Sequence, residues 1–235
     1  MKLRYAILII FTIIIADQAL KIWIKTTYPL GEVTRIFGMD WARLHFIENP
    51  GMAWGMQLGE GNEWGKVGLT VFRLIAVIFG TWYLGRIIKR NYSRGFIICA
   101  SLIYAGALGN LIDSIFYGVI FDKGMLYDAA SGGYINYSGI AQFSSDGYQT
   151  LLHGNVVDML YFPMVRSTFP DWLPLIGGND FEFFSPIFNI ADASISMGVI
   201  TLLIFQKRLL RKKEETVHTS TSVTNTELSD KAHIM

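Results

Sequence analysis

Four apolar runs, each long enough to cross a membrane, constrain this 235-residue chain more than any other feature. A helix needs about 20 mainly apolar residues to span the hydrocarbon core of a bilayer. The runs cover residues 5–24, 67–85, 95–117 and 186–205. The sequence therefore predicts an all-α membrane fold, a bundle of four transmembrane helices that forms one domain over residues 1–213.

Two polar segments separate the runs. Residues 28–64 contain an alternating stretch at 43–47 that is typical of a strand, followed by an Asn-Pro-Gly turn signal. Residues 118–185 form a long polar segment with an insertion, and residues 129–150 within it are rich in Gly, Ser, Tyr and Ala, which predicts an irregular surface loop. The tail, 214–235, is rich in Ser, Thr and Glu, and we expect it to be disordered.

Charge is sorted along the chain although the net charge is only +1. Basic residues flank the runs at the N-terminus, in the connector 86–94 and after residue 205. With four spans these three places share one side, and the positive-inside rule puts that side, with both termini, in the cytoplasm. The near-zero net charge gives no reason to expect a nucleic-acid partner. Cys99 is the single cysteine, which excludes an internal disulfide.

Acidic residues inside the apolar runs indicate a functional surface. Asp192 lies in the fourth run, where a carboxylate costs about 2.5–3.5 kcal/mol on insertion scales. Asn189 precedes it by three residues, which predicts that the two share a helix face. Asn110 and Asp113 repeat this spacing in the third run. In the four-span orientation these groups lie at the outer side of the membrane.

Two further runs carry charged side chains. Asp17 and Lys21 have the i,i+4 spacing of an ion pair, which would lower the cost of inserting the first helix. Arg73 lies about two turns inside the second run, where it can either reach the surface or pair with a buried acid, and we favour the surface.

A pair of carboxylates is one chemistry that this pattern can support. The order and expected depth of Asp158 and Asp192 allow them to meet. Two close carboxylates cannot both ionise cheaply, so one can act as a base while the other stays protonated as an acid. Such a pair hydrolyses a peptide bond without a metal or another cofactor. A proton-coupled transporter and a structural assembly factor remain alternatives at this point, because buried acids fit both.

Five motifs across the four runs are together specific. They are DQALK (17–21), NPGMAWG (49–55), GALGNLID (106–113), VVDM (156–159) and FNIADASISMG (188–198). In this order they resemble the lipoprotein signal peptidase family, also called signal peptidase II. The resemblance implies an intramembrane aspartyl endopeptidase of the bacterial cytoplasmic membrane with its site at the outer face. Its substrates would be diacylglyceryl-modified prolipoproteins, cut before the lipidated cysteine. Membrane lipid would be its surroundings, no cofactor would be needed, and a monomer is the simpler expectation.

The resemblance also implies residue roles. Asp158 and Asp192 would form the catalytic pair, and residues 28–64 would form a small β-rich cradle above the membrane. The residues expected to orient the substrate or support the site are Asn49, Gly51, Asn110, Asp113, Asn189, Asp17 and Lys21.

The sequence departs from the family pattern in two places. The family usually has Arg after the GNLID aspartate, where this chain has Ser114, and Arg73 is our candidate to supply the missing contact. The first catalytic Asp usually follows GNLID closely, and Asp122 is nearer to that spacing than Asp158. We favour Asp158 because VVD matches the motif and an insertion, residues 119–155, explains the longer spacing.

Overall fold

The computed structural model describes residues 1–50, 63–163, 165–168, 170, 172, 174, 178–183 and 186–210. Gly51 and the rest of its motif after Pro50 lie outside these residues, as does the 214–235 tail.

Four helices among the described residues are long and apolar enough to cross a membrane. They are α1 (Leu3–Thr27), α2 (Glu63–Lys89), α3 (Arg94–Ile120) and α4 (Ile190–Leu209). The first three extend the predicted apolar runs by one to four residues at each end. The prediction of four membrane-length helices is therefore confirmed.

The fourth helix begins later than its apolar run predicts. The run starts at Pro186, but Ile187–Phe188 form a short strand, and α4 begins at Ile190. Asn189 is the N-cap, and its side-chain oxygen accepts a hydrogen bond from the Asp192 backbone N–H at 2.8 Å. Asn189 therefore caps α4 and does not lie within it as the spacing argument assumes, because a capping asparagine satisfies a free N–H at the helix start. The cap places its side chain beside Asp192.

Helix α3 is the centre of the helical part and packs against the other three helices. Small residues allow its close approach to α4. A Cβ on Gly106 would lie 2.6 Å from the side chains of Ile195 and Ser194, and one on Gly109 would lie 3.2 Å from the Ala191 Cβ. This is the small-residue packing that membrane helices use where backbones come together.

Short strands join the helices at one end of the molecule. The principal sheet is antiparallel, with strand order β1 (Val33–Arg35), β2 (Arg43–Asn49), β5 (Val156–Tyr161) and β8 (Ile187–Phe188). Two separate hairpins are β3 (Leu126–Asp128) with β4 (Gly133–Ile135), and β6 (Val165–Thr168) with β7 (Asp180–Phe183). The chain therefore has more strand than an all-α fold implies.

A compact apolar core lies between the principal sheet and the C-terminal ends of α1 and α3. Its buried members are Ile24, Phe46, Tyr117, Phe121, Ala141, Val157 and Met159. Two of these, Phe121 and Ala141, come from the 119–155 insertion. The insertion thus contributes to the packed core through these residues, although residues 129–150 are mostly exposed and irregular, as their composition predicts.

Candidate active site

Asp158 lies in the middle of β5 and is almost fully buried. The Asn189 side-chain amide donates to its Oδ1 at 2.6 Å, and the Asn49 amide lies 3.5 Å from its Oδ2. Burial raises the pKa of the Asp158 carboxyl to about 8, and the nearby Asp192 carboxylate contributes to the rise. Asp158 is therefore mostly protonated at neutral pH.

Asp192 lies in the first turn of α4 and is half-buried. The Asn110 side-chain amide donates to its Oδ1 at 2.7 Å. The partial positive charge of a helix N-terminus favours a carboxylate at this position. The two carboxyl groups thus have unlike surroundings, since Asp158 is buried in the sheet and Asp192 is half-buried at the start of a helix.

Two asparagines connect the aspartates. The Asn189 amide, which donates to Asp158, also lies 3.1 Å from the Asn110 side-chain oxygen, and Asn110 in turn donates to Asp192. One chain of hydrogen bonds therefore runs from Asp158 of β5 to Asp192 of α4. It passes through the side chains of Asn189, the N-cap of α4, and Asn110 of α3.

An ion cluster supports this chain of hydrogen bonds from α1. The Lys21 ammonium lies 2.8 Å from Asp17 Oδ2, 2.7 Å from Asp113 Oδ2 and 2.9 Å from Asn110 Oδ1. All four side chains are buried. Lys21 thus pairs with two acids, whereas the i,i+4 spacing predicts only Asp17.

Each acid of the cluster also accepts a hydrogen bond from a backbone N–H of a neighbouring element. Asp17 Oδ1 accepts from the Ala191 N–H at 2.8 Å, next to Asp192, and Asp113 Oδ2 accepts from the Val157 N–H at 3.3 Å, next to Asp158. These bonds tie the backbones that carry both aspartates to α1 and α3.

Gln18 completes the cluster and was missed by sequence reasoning. Its amide donates to Asp113 Oδ1 at 2.8 Å, and its oxygen accepts from the Tyr117 hydroxyl at 3.2 Å. Its position between Asp17 and Lys21 in the DQALK motif is the signal that could have identified it.

Arg73 of α2 points to the site. Its Nη1 donates to the Ser114 hydroxyl at 2.9 Å, and the nearby acids Asp192 and Asp113 attract its guanidinium. The expectation that Arg73 reaches the membrane surface is therefore wrong, because acids on α3 and α4 attract its charge inward.

Asp122 lies elsewhere. It belongs to the 119–155 insertion, and its Oδ1 accepts from the Gln142 backbone N–H of the same insertion at 2.7 Å. Within the described ranges, no group of three or more His, Cys, Asp or Glu side chains has the arrangement of a metal site.

Comparisons with protein families and with known proteins point to the same family. The sequence model of the family described as signal peptidase (SPase) II matches residues 9–207. A lipoprotein signal peptidase of Porphyromonas gingivalis is 45% identical over 203 residues, 85% of this chain and 81% of that protein. A lipoprotein signal peptidase of Amoebophilus asiaticus is 33% identical over 94% of this chain and 84% of that protein.

A solved bacterial membrane enzyme has the same fold. The superposition has a TM-score of 0.52 at 24% sequence identity, and covers 88% of this chain and 94% of that one.

Proposed function

Because this chain belongs to the signal peptidase II family, we propose that it is an aspartic endopeptidase that removes signal peptides from bacterial prolipoproteins in the membrane, cutting before the diacylglyceryl-modified cysteine. The observation that carries the proposal is the chain of hydrogen bonds from Asp158 through Asn189 and Asn110 to Asp192. It joins a buried carboxyl whose pKa is raised to a half-buried carboxyl at a helix N-terminus, and two close carboxyl groups in unlike surroundings can divide the acid and base roles that hydrolysis needs.

The proposed reaction uses a water molecule between the two aspartates. The Asp192 carboxylate takes a proton from the water as its oxygen attacks the scissile carbonyl carbon. The Asp158 carboxyl donates its proton to the carbonyl oxygen, which gives a neutral tetrahedral diol. Collapse of the diol breaks the C–N bond, and the proton held by Asp192 passes to the leaving amine. As the new carbonyl forms, one diol hydroxyl returns its proton to the Asp158 carboxylate. The products are a carboxylic acid and an amine, and both aspartates are back in their starting protonation states.

The surrounding residues position this reaction. Asn49, Asn110 and Asn189 orient the aspartates or the substrate backbone, and the Lys21 cluster fixes the elements that carry them. The principal sheet forms the cradle that holds the extended cleavage segment of the substrate. Gly51 keeps its proposed supporting role on sequence grounds alone.

Membrane placement follows from the basic residues beside the helices. Both termini lie in the cytoplasm, the sheet and the aspartates lie at the outer face of the bacterial cytoplasmic membrane, and the enzyme acts as a monomer in contact with lipid. Cysteine labelling of single substitutions at Lys2 and at Asp128 in intact cells tests this topology, because only the outer position should react with an impermeant reagent.

Cleavage of a synthetic lipobox peptide tests the proposed function. The full chain, purified in detergent, should cut a peptide that carries a diacylglyceryl cysteine on the amino side of that cysteine, with and without a chelator. A proton-coupled transporter or an assembly factor would leave the peptide intact, and that result would refute the protease.

We expect cleavage to weaken as the pH rises through about 8. The reaction needs Asp158 protonated, and burial together with the Asp192 charge raises the pKa of Asp158 to about 8. Its proton is therefore present below that pH and lost above it. A pH profile of kcat/KM measures this, with samples returned from pH 9 to pH 7 to show that inactivation is reversible. A profile that rises through pH 8 would contradict the assignment of Asp158 as the acid.

We expect Arg73→Ala to lower kcat by about tenfold to 100-fold, because it removes a cation that faces the acids of the site. Arg86→Ala on the same helix is the matched control, since Arg86 is exposed and stacks on Trp82. Peptide cleavage by both variants, with their thermal stability, gives the comparison. Full activity and unchanged stability of Arg73→Ala would show that Arg73 does not replace the arginine that the family has at position 114.

A further inference from the structure

The two central strands of the principal sheet have one face at the site and one face away from it. The register places Ile47 opposite Asp158 and Glu48 opposite Val157. Side chains alternate along a strand and opposed residues point the same way. Asp158 and Asn49 therefore lie on one face, and Glu48 lies on the other.

The 119–155 insertion covers the face that points away from the site. Val157 of β5 and Phe46 of β2 are fully buried there, in the same core as Phe121 and Ala141 of the insertion. The insertion thus completes the core behind the strands that carry Asn49 and Asp158.

Glu48 is the polar centre of this covered face. Its buried carboxylate forms an ion pair with Lys25 of α1. It also accepts from the Met125 backbone N–H at 2.9 Å, the Tyr137 hydroxyl at 3.1 Å and the Asn155 side-chain amide at 2.8 Å. Three of its partners therefore belong to the insertion, and one belongs to the helix that carries Asp17 and Lys21.

The partners of Glu48 are themselves held in place. Lys25 donates to the Lys123 carbonyl at 2.9 Å, and its ammonium lies over the rings of three insertion residues, Phe121, Tyr137 and Tyr148. Asn155 donates to the Met125 carbonyl at 2.9 Å and accepts from the Lys66 ammonium of α2 at 2.5 Å. Every buried side-chain nitrogen and oxygen of the described residues has a partner.

We propose that the 119–155 insertion is a fixed supporting layer that Glu48 locks to the back of the sheet, and that Glu48 is a positioning residue for cleavage. Glu48 precedes Asn49 directly, and Asn155 lies three residues before Asp158. The link therefore sets where β2 and β5 place their site residues. This inference rests on the proposed function, because the geometry matters for catalysis only if Asp158 is the acid.

The supporting layer cannot open as a lid or act as a passive loop. If the layer moved away, the Glu48 carboxylate would lose three hydrogen bonds and the Lys25 ammonium would lose its contacts with three aromatic rings. Buried charges that lose their partners are strongly unfavourable. The insertion therefore stays docked through the catalytic cycle.

Glu48→Gln tests the inference, because it keeps the shape of the side chain and removes its charge. We expect kcat for the lipobox peptide to fall about tenfold to 100-fold while KM changes less than about threefold. The assay is run on the purified full chain well below the unfolding temperature of the variant. A purely structural role would lower that temperature and leave kcat of the folded protein unchanged, so unchanged kcat overturns the proposal.

Tyr137→Phe is the second variant, for the case in which Glu48→Gln does not fold. It deletes one hydrogen bond to Glu48 and leaves every charge paired, and we expect kcat to fall about fivefold. Parental kcat in a folded Tyr137→Phe would then overturn the proposal. Asp146→Asn, an exposed carboxylate of the same insertion, is the matched control and should keep parental kcat and KM.

Asp158→Asn distinguishes an error in the proposed catalytic role of Asp158 from an error in the proposed supporting layer. Full activity of this variant would overturn the assignment of Asp158 as the acid and, with it, the positioning role of Glu48. An inactive Asp158→Asn beside a fully active Glu48→Gln would overturn the supporting layer alone.

Discussion

Asp158→Asn and Asp192→Asn should each lower the rate of lipobox cleavage by roughly 10³- to 10⁴-fold. Asparagine keeps the size of the side chain, but in the proposed reaction it can neither donate the proton assigned to Asp158 nor take the proton assigned to Asp192. The hydrogen bonds to Asn189 and Asn110 run to the same positions, so the fold should persist. Single-turnover cleavage of the lipobox peptide by the purified variants measures the loss.

Asp122→Asn is the control for this prediction. The short spacing after GNLID makes Asp122 the competing candidate, but its carboxylate accepts a backbone hydrogen bond within the 119–155 insertion. We expect this variant to keep its activity within about twofold of the parent protein, since one neutral amide oxygen can still accept that bond. Loss of cleavage in the Asp122 variant alone would reverse the assignment of the catalytic pair.

Lys21→Met should destabilise the protein by about 3–5 kcal/mol. The Lys21 ammonium is the common partner of Asp17, Asp113 and the Asn110 oxygen, and it is fully buried. Methionine has a similar length but leaves two buried carboxylates without their cation. Thermal unfolding in a fixed detergent, followed by circular dichroism, measures the change.

Two further variants give the Lys21 prediction its controls. Lys89→Met removes an exposed lysine from the last turn of α2 and should leave the unfolding temperature unchanged. Adding Asp113→Asn to Lys21→Met removes one uncompensated carboxylate and should restore part of the lost stability. If Lys21→Met unfolds at the parental temperature, the cluster does not hold the elements together.

The sequence was sufficient to find the helices and the acids within them. A membrane span is a local property of about 20 consecutive residues, so hydropathy alone located α1, α2 and α3. The boundary of α4 was the exception, because Ile187 and Phe188 are apolar enough to extend the run. These two residues form a strand because they pair with β5, which lies about 30 residues earlier in the chain.

The partners of the charged residues were less predictable. Spacing identified the Asp17–Lys21 pair, but the second acid, Asp113, comes from a helix that approaches only because Gly109 lacks a side chain. Composition predicted an irregular surface loop at 129–150 and left the role of the 119–155 insertion open, and hydropathy did not indicate the Glu48 cluster. Each partner of Glu48 is an ordinary polar residue until the chain folds.

The sequence by itself determined which residues lie in the membrane and which of them are too polar to be there without a role. Both properties follow from the free energy of transferring a side chain from water to hydrocarbon, which depends on the residue and its near neighbours. Only the tertiary structure decided which groups meet. The bond between Asp17 and the Ala191 N–H spans 174 positions. Such pairs depend on how helices pack and how strands register, and no local stretch of sequence encodes either.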